Sequence, residues 1–434
     1  MDRSSESKEF RMSGSAQRAA DASIGPRLSG MMFLQFFLWG AWYVTVGNYM
    51  KAHNMGDQVA NAYSVAPLAA IISPFFLGIV ADRFFATERV LGVMHLLGGA
   101  VLLAAPSVQD PNLFVGLLLI HTLCYMPTLG LTNSLAFRNM TDQEKQFPMI
   151  RVFGTIGWIV ANQVVSALMK ADTKPEQFYV AGAAGLLLGL YSFTLPHTPP
   201  PAAGQRASVR DILGLDSLAL MRSTSFAVFI LCSFLICIPL AAYYSFAPIF
   251  VGAVGFKNVA ATMSFGQMSE IFFMLVMPLF FIRLGVKWML VVGMLAWVLR
   301  YGLFAGAASG GPGALVVGGI LLHGICYDFF FVTGQIYVDK KAPSAIRSQA
   351  QGFLVLVTQG LGMLIGAQIM GRIVAAYTPA KDQENWRMIW LIPCVAAAVI
   401  TVLFFALFRE DSRLAAQPEE VSAPDAPLEL GPVQ

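Results

Sequence analysis

The chain has 434 residues, of which 56% are hydrophobic and only 12% charged, with a mean hydropathy of +0.64. That is too little charge to cover the surface of a soluble protein of this length, so lipid is the expected solvent for most of it. The formal charge of +3 is too small to imply a nucleic-acid partner, and Cys124, Cys232, Cys237, Cys326 and Cys394 all sit in apolar stretches without a CxxC pair, which argues against a zinc site or a disulfide framework.

Residues 1–28 form a polar tail carrying both charge signs, with no apolar core ahead of a small-residue cleavage site. It is expected to be a cytoplasmic tail rather than a signal peptide. About twelve apolar stretches follow, each long enough to cross a bilayer as a helix. In the first half they are 29–51, 58–81, 90–107, 112–137, 149–169 and 176–196; in the second half, 224–252, 259–283, 288–308, 313–338, 346–374 and 387–408. The expected organisation is two six-helix bundles, 29–196 and 224–408. They are joined by a cytoplasmic linker, 197–223, with one short surface helix, and a second polar tail, 409–434, ends the chain. If the N-terminus is cytoplasmic, that side carries 19 Lys and Arg residues against seven opposite. This bias favours both termini inside. The fold class expected is thus an all-α membrane protein whose two related halves rock about a site near the midplane. Gly78-Ile-Val-Ala-Asp82-Arg83 resembles the loop signature of the major facilitator superfamily, without its usual downstream glycine and basic pair; Arg283 and Lys287 are a degraded counterpart.

A charge at the centre of a membrane helix costs about 2.5–3.5 kcal/mol on insertion scales, so it normally faces a cavity or a partner. Four candidates lie inside the stretches. Asp328, in "LLHGICYDFFFVTGQIYVD", has Gln335 seven residues on and Tyr327 and Phe331 beside it. It either binds substrate or a proton from a cavity, or pairs with another helix, for which Arg300 is the available cation. Glu270 has Gln267 three residues earlier on the same helix face, so donors and acceptors lie side by side, as a polyhydroxylated neutral ligand requires. Arg151, Thr155, Trp158 and Asn162 fall on one face; Pro148 is well placed to open that helix, which leaves Arg151 either in a cavity or snorkelling to the interface. Arg300 is expected to be the counter-charge of an acid. His95, His121 and His323 share no spacing that makes a metal site, and His323 lies on a different face from Asp328. Gln35, Asn48 and Asn133 are expected to hold helices together.

The segments "FLQFFLWGAWYVTVGNYM" (33–50), "YMPTLGLTNSLAF" (125–137), "RVFGTIGW" (151–158), "LGLDSLAL" (213–220) and "YDFF" (327–330) resemble, in order and spacing, the nucleoside:proton symporter family of the major facilitator superfamily. The resemblance runs over about residues 30–408. It implies uptake of nucleosides with protons across a bacterial inner membrane by a multi-pass permease, not an enzyme. It also implies a substrate site built from Arg151 and Thr155, from Gln267 and Glu270, and from Tyr327 and Asp328, with Asp328 or Glu270 carrying the proton. Two departures stand out. Ala241 and Tyr244 align with a glutamine and an asparagine of the family, and His323 replaces an aromatic residue. The expected consequence is broad base discrimination, set by stacking more than by hydrogen bonds. No phosphate cradle is visible, so nucleotides are poor candidates. The partners expected are the nucleoside, the proton and the bilayer, with no cofactor or metal, in a monomer. The alternatives are a facilitator for another neutral polar solute, such as a sugar or modified nucleoside, and a membrane nutrient sensor, for which no effector domain is present.

Overall fold

The computed structural model describes residues 24–76, 84–200, 215–343, 346–380 and 383–409. The loop signature Gly78–Arg83, most of both tails and residues 201–214 lie outside them. Among the described residues the chain is helical and has no strand. We label the rods α1 (24–52), α2 (Val59–Phe76), α3 (Thr87–Ala104), α4 (Pro111–Arg138), α5 (Gln143–Asn162, continuing as a π-helix over Gln163–Leu168) and α6 (Glu176–Ser192). After the short 3₁₀ helix Leu215–Arg222 comes α7 (Thr224–Ala253). The turn Val259–Met263 then leads into Phe265–Ala308, which breaks at Gly285 (φ 67°, ψ 178°) into α8 and α9. The last rods are α10 (Ala314–Lys341), α11 (Arg347–Ala376) and α12 (Trp386–Leu407).

Each apolar stretch read from the sequence overlaps one of these rods, although residues 77–81 of the second stretch lie outside the described residues. Among the described residues, eight helical segments, one of them Val259–Ala308 with both α8 and α9, are long and apolar enough to cross a membrane. The other rods are α1, which is broken over 41–45, α2, whose described part ends at Phe76, and Glu176–Ser192, which has 17 residues. Local chemistry sets several ends. Asp110 accepts from Leu113 N at 2.7 Å ahead of Pro111, so α4 has both a side-chain cap and a proline in its first turn. Asp142 accepts from Lys145 N at 3.2 Å, which starts α5 at Gln143 rather than at Pro148. Arg151 therefore lies more than two turns into its helix. Where α1 breaks, the carbonyls of Tyr43 and Val44 accept from the Tyr63 hydroxyl at 3.1 and 3.2 Å, so the kink leaves neither unpaired.

Two glycines allow the approaches that assemble the site. A Cβ on Gly157 would overlap the Phe33 carbonyl, so α5 lies directly on α1. A Cβ on Gly324 would lie 2.5 Å from the Ser269 carbonyl oxygen, so α10 lies equally close to α8. Ser269 completes that second contact: its hydroxyl donates to Leu321 O at 2.7 Å and accepts from Gly324 N at 2.9 Å. We expect Gly324→Val to force these helices apart and to cost about 1–3 kcal/mol. A thermal-unfolding midpoint in detergent that equals the parent's would show that the approach is dispensable.

Among the described residues, the hydrogen bonds and ion pairs that join α1–α6 to α7–α12 all lie at one end of the molecule, opposite the end that carries residues 24 and 409. Asp172 accepts from Val259 N at 2.8 Å and Ala260 N at 3.3 Å. Gln163 donates to Ser264 Oγ at 3.0 Å, and Asn48 to Pro248 O at 3.1 Å. Gln368 reaches Asn61 and Ser64, and Lys51 pairs with Glu384. The halves are thus joined at this end.

Candidate functional site

Between the two sets of helices lies a cavity of about 170 Å³ with chemically distinct walls. One wall comes from α1 and α5. Phe36, Trp39 and Tyr43 recur at three- and four-residue spacing on α1, and Arg151, Thr155 and Trp158 do the same on α5, so each set shares a helix face. Trp39 meets Trp158 edge-on, with centroids 5.4 Å apart, and also Tyr43 at 5.4 Å; the Arg151 guanidinium lies 4.2 Å above the Phe36 ring. The opposite wall comes from α7, α8, α10 and α11. It presents Tyr244, Gln267, Glu270, His323, Tyr327, Gln359 and Met363. Glu270 Oε2 lies 3.7 Å from His323 Nε2, just beyond hydrogen-bond range. The His323 ring stacks on Tyr243 at 5.5 Å, and the Arg300 guanidinium covers the same tyrosine at 4.0 Å.

One guanidinium and one carboxylate are the formal charges of this lining, apart from the His323 ring. Aromatic faces on both sides, with the amides, the carboxylate and the imidazole gathered on the second, suit a neutral ligand with a flat ring and hydroxyl groups. A larger cavity, about 710 Å³, lies at the joined end beside Lys51, Asp57, Gln368, Arg372 and Glu384. Its cation Lys51 is already paired with Glu384, and it gathers fewer aromatic faces, so the smaller cavity is the better candidate.

The sequence profile described as nucleoside H+ symporter matches residues 22–413. The chain belongs to the nucleoside:proton symporter family. It is 42% identical to the putative nucleoside transporter YegT of Escherichia coli, over 88% of this chain and 93% of the relative. It is 33% identical to the nucleoside permease NupG of the same organism, over 88% and 95%. The crystal structure of NupG superposes with a TM-score of 0.81 at 32% identity, covering 89% of this chain and 100% of that one. A D-xylose–proton symporter structure, at 12% identity and TM-score 0.68, shares the fold.

Within this symporter fold, Arg151, Thr155, Gln267, Glu270 and Tyr327 line the cavity together. Asp328 does not line it. The side chain is fully buried behind Tyr327, and both carboxylate oxygens lack a hydrogen-bond partner. Residues Tyr327–Val332 are π-helical, and the widened turn shifts the register of everything after it. Gln335 accordingly leaves the line of Asp328: it is exposed, and its carbonyl accepts from Gln351. Arg300 is not the counter-charge of an acid among the described residues. Its Nε donates to Gly319 O at 3.0 Å, while Nη1 and Nη2 are buried without partners. Asn162 drops out of the stripe on α5, being buried with its amide donating to Trp158 O at 2.8 Å.

His95 and His121 belong to the packing of the first half. His95 Nε2 bonds to Gln35 Oε1 at 2.8 Å, Gln35 Nε2 donates to Thr128 Oγ1 at 2.7 Å, and His121 bonds to Gly98 O. Gln35 and Asn48 thus do hold helices together. The aromatic stripe of α1, the ring of His323 and the side chains of Gln359 and Met363 line the cavity without having been singled out as substrate residues. The first has a readable signal, three aromatic residues on one face. Gln359 has a fainter one: it is the lone amide within "FLVLVTQGLGMLIG".

Proposed function

We propose that the chain imports nucleosides together with protons across a bacterial inner membrane by alternating access around this cavity. The observation that carries the proposal is the division of the cavity between an aromatic wall, which can cover a base, and a wall of hydrogen-bonding groups, which can hold a ribose. On this proposal all twelve rods span the membrane as two six-helix bundles, 29–196 and 224–408, with both termini cytoplasmic. The joined end is then the outer gate, and the protein is seen with its outer side shut. Glu270 accepts from the ribose hydroxyls, and Gln267 accepts from and donates to them; Arg151 and Thr155 face them across the cavity; Tyr327, with Trp39 and Trp158, packs against the base. Asp328 is the first choice for the proton carrier and Glu270 the second. The permease works as a monomer, because the cavity is complete within one chain.

The test is uptake into proteoliposomes with an imposed proton gradient and a panel of nucleosides. Inward-acid gradients should fail and outward-acid gradients should drive accumulation, with sugars unable to compete. Preference between purine and pyrimidine nucleosides should stay below about a hundredfold, since stacking tolerates every base. Accumulation of a sugar with no response to uridine would overturn the proposal.

The outer gate should itself respond to pH. Asp172 lies in the connection between α5 and α6, nearly buried, and burial pushes its carboxyl above the usual aspartate value, against the donors Ser166, Val259 N and Ala260 N that hold it down. An acid whose value is raised in the closed gate stabilises that gate below its solvated value and loses the effect as pH climbs through the raised one. The gate should therefore loosen on the alkaline side, and Asp172→Asn should flatten the response. Distances between spin labels on the outer ends of α1 and α7 measure it. An outer gate that loosens on acidification instead would contradict this sign.

A further inference from the structure

We infer that Gln359 of α11 recognises the polar edge of the nucleobase; this rests on the assignment of the ribose to Gln267 and Glu270. The placement follows from which helices touch. α8 lies against α10 through Gly324 and against the end of α5 through the Gln163–Ser264 hydrogen bond. α11 lies against α7, where Gly362 meets Cys237 and Gly366 meets Ala241, and against α2, where Gly360 meets Ile71. Glu270 and Gln359 therefore stand on opposite flanks of the cavity, with α7 and α10 between them. A nucleoside whose sugar is held at α8 extends its base past Tyr244 and Tyr327 toward α11.

At that flank α7 supplies no amide. Ala241 is fully buried, and a Cβ on Gly366 would come within 2.7 Å of its own, so this position is filled by helix packing and not by ligand contact. Gln359 is half-buried, lines the cavity, and its amide has no hydrogen-bond partner among the described residues. It lies in the π-helical segment Leu356–Gly362, an interruption of the kind that often marks a functional position. His323 adds a second unused group on the way, since its Nδ1 is buried and unpartnered. A primary amide carries both a donor and an acceptor, and half a turn about its last bond exchanges them. One glutamine can thus meet an exocyclic amino group or an exocyclic oxygen, which fits a site that accepts several bases.

The experiment compares three ligands in proteoliposomes: adenosine, purine riboside, which lacks the 6-amino group, and 2′-deoxyadenosine. One neutral hydrogen bond is worth about a fivefold preference, so the parent should favour adenosine over purine riboside by that order. In Gln359→Met, which keeps the side-chain volume, the preference should fall to about one while the adenosine to deoxyadenosine ratio is unchanged. Glu270→Gln should do the converse. A base preference that persists in Gln359→Met, equal weakening of all three ligands, or no preference in the parent overturns the inference. If Gln359→Met collapses the base preference but Glu270→Gln leaves the ribose ratio intact, the ribose assignment fails and the role of Gln359 stands. Should Gln359→Met not fold, Gln359→Asn must weaken adenosine more than purine riboside, and equal weakening overturns the inference.

Discussion

Glu270→Gln is expected to weaken uridine binding tenfold or more, with little change for 2′,3′-dideoxyuridine. The carboxylate lines the cavity and is mostly buried, its side chain 15% exposed. Among the described residues it makes no hydrogen bond, and its ion-pair contact with His323 Nε2 spans 3.7 Å, so its oxygens are not used up by the protein. A hydrogen bond to a charged acceptor contributes about 1.5–3 kcal/mol, against 1.4 kcal/mol for each factor of ten in affinity. The amide of the variant keeps one acceptor oxygen but turns a donor toward hydroxyls that were donating. Binding of uridine and of the dideoxy analogue, measured calorimetrically at one pH, separates a lost ribose contact from a general disturbance. Equal affinity of parent and variant for uridine would remove Glu270 from the ribose site.

The positions of the helices were legible because each is a run of apolar residues bounded by caps, prolines or charges, such as Asp110-Pro111 before α4 and Asn385 before α12. The cavity-lining pair on α8 was legible for a different reason. Gln267 and Glu270 are costly in an apolar helix, and their spacing of three puts them on one face. What could not be read is rotation and depth. The turn over Tyr327–Val332 widens to a π-helix, and no local residue type announces this. Its effect is to move Gln335 off the line of Asp328, which is buried while Tyr327 faces the cavity. Charge pairing failed for a related reason. Arg300 has an aromatic face and a carbonyl within reach, which satisfy part of the guanidinium without an acid, and only the packing of α7 and α10 around it shows this. Pro148 points to a later start of α5 than the structure has, because the side-chain cap of Asp142, not the proline, sets the first turn.

The stack from Arg300 through Tyr243 and His323 to Glu270 joins a buried cation to the cavity wall without a single direct ion pair of full strength. The stack holds the His323 ring against Tyr243, with its Nε2 3.7 Å from the Glu270 carboxylate. The wall is therefore held from behind by aromatic contacts, each worth about 0.5–1.5 kcal/mol beyond area burial, while its polar tips remain open toward the cavity.

Asp328→Asn is expected to retain nucleoside exchange and to lose accumulation. The side chain is completely buried, its two oxygens have no donor, and its neighbours Phe329, Phe330 and Phe331 are buried as well. Leaving a carboxylate in such a place costs several kcal/mol when it is ionised, so a change of charge there is strongly tied to conformation. That coupling is what a symporter requires: a group that takes up its proton in one arrangement of the helices and gives it up in the other. Tyr327, its chain neighbour, lines the cavity, so a shift in the π-helical turn that carries both residues would link ligand contact to the carboxyl group. Asparagine is close in shape and permanently neutral. It should let the empty and loaded carrier interconvert without a proton, which supports counterflow of labelled uridine but gives an imposed pH gradient nothing to act on. Counterflow and proton-driven uptake are measured on the same proteoliposomes. If Asp328→Asn still concentrates uridine with the parent's response to pH, the proton travels elsewhere, and Glu270 becomes the residue to neutralise. If counterflow is lost as well, Asp328 serves the packing of α10 and not the coupling.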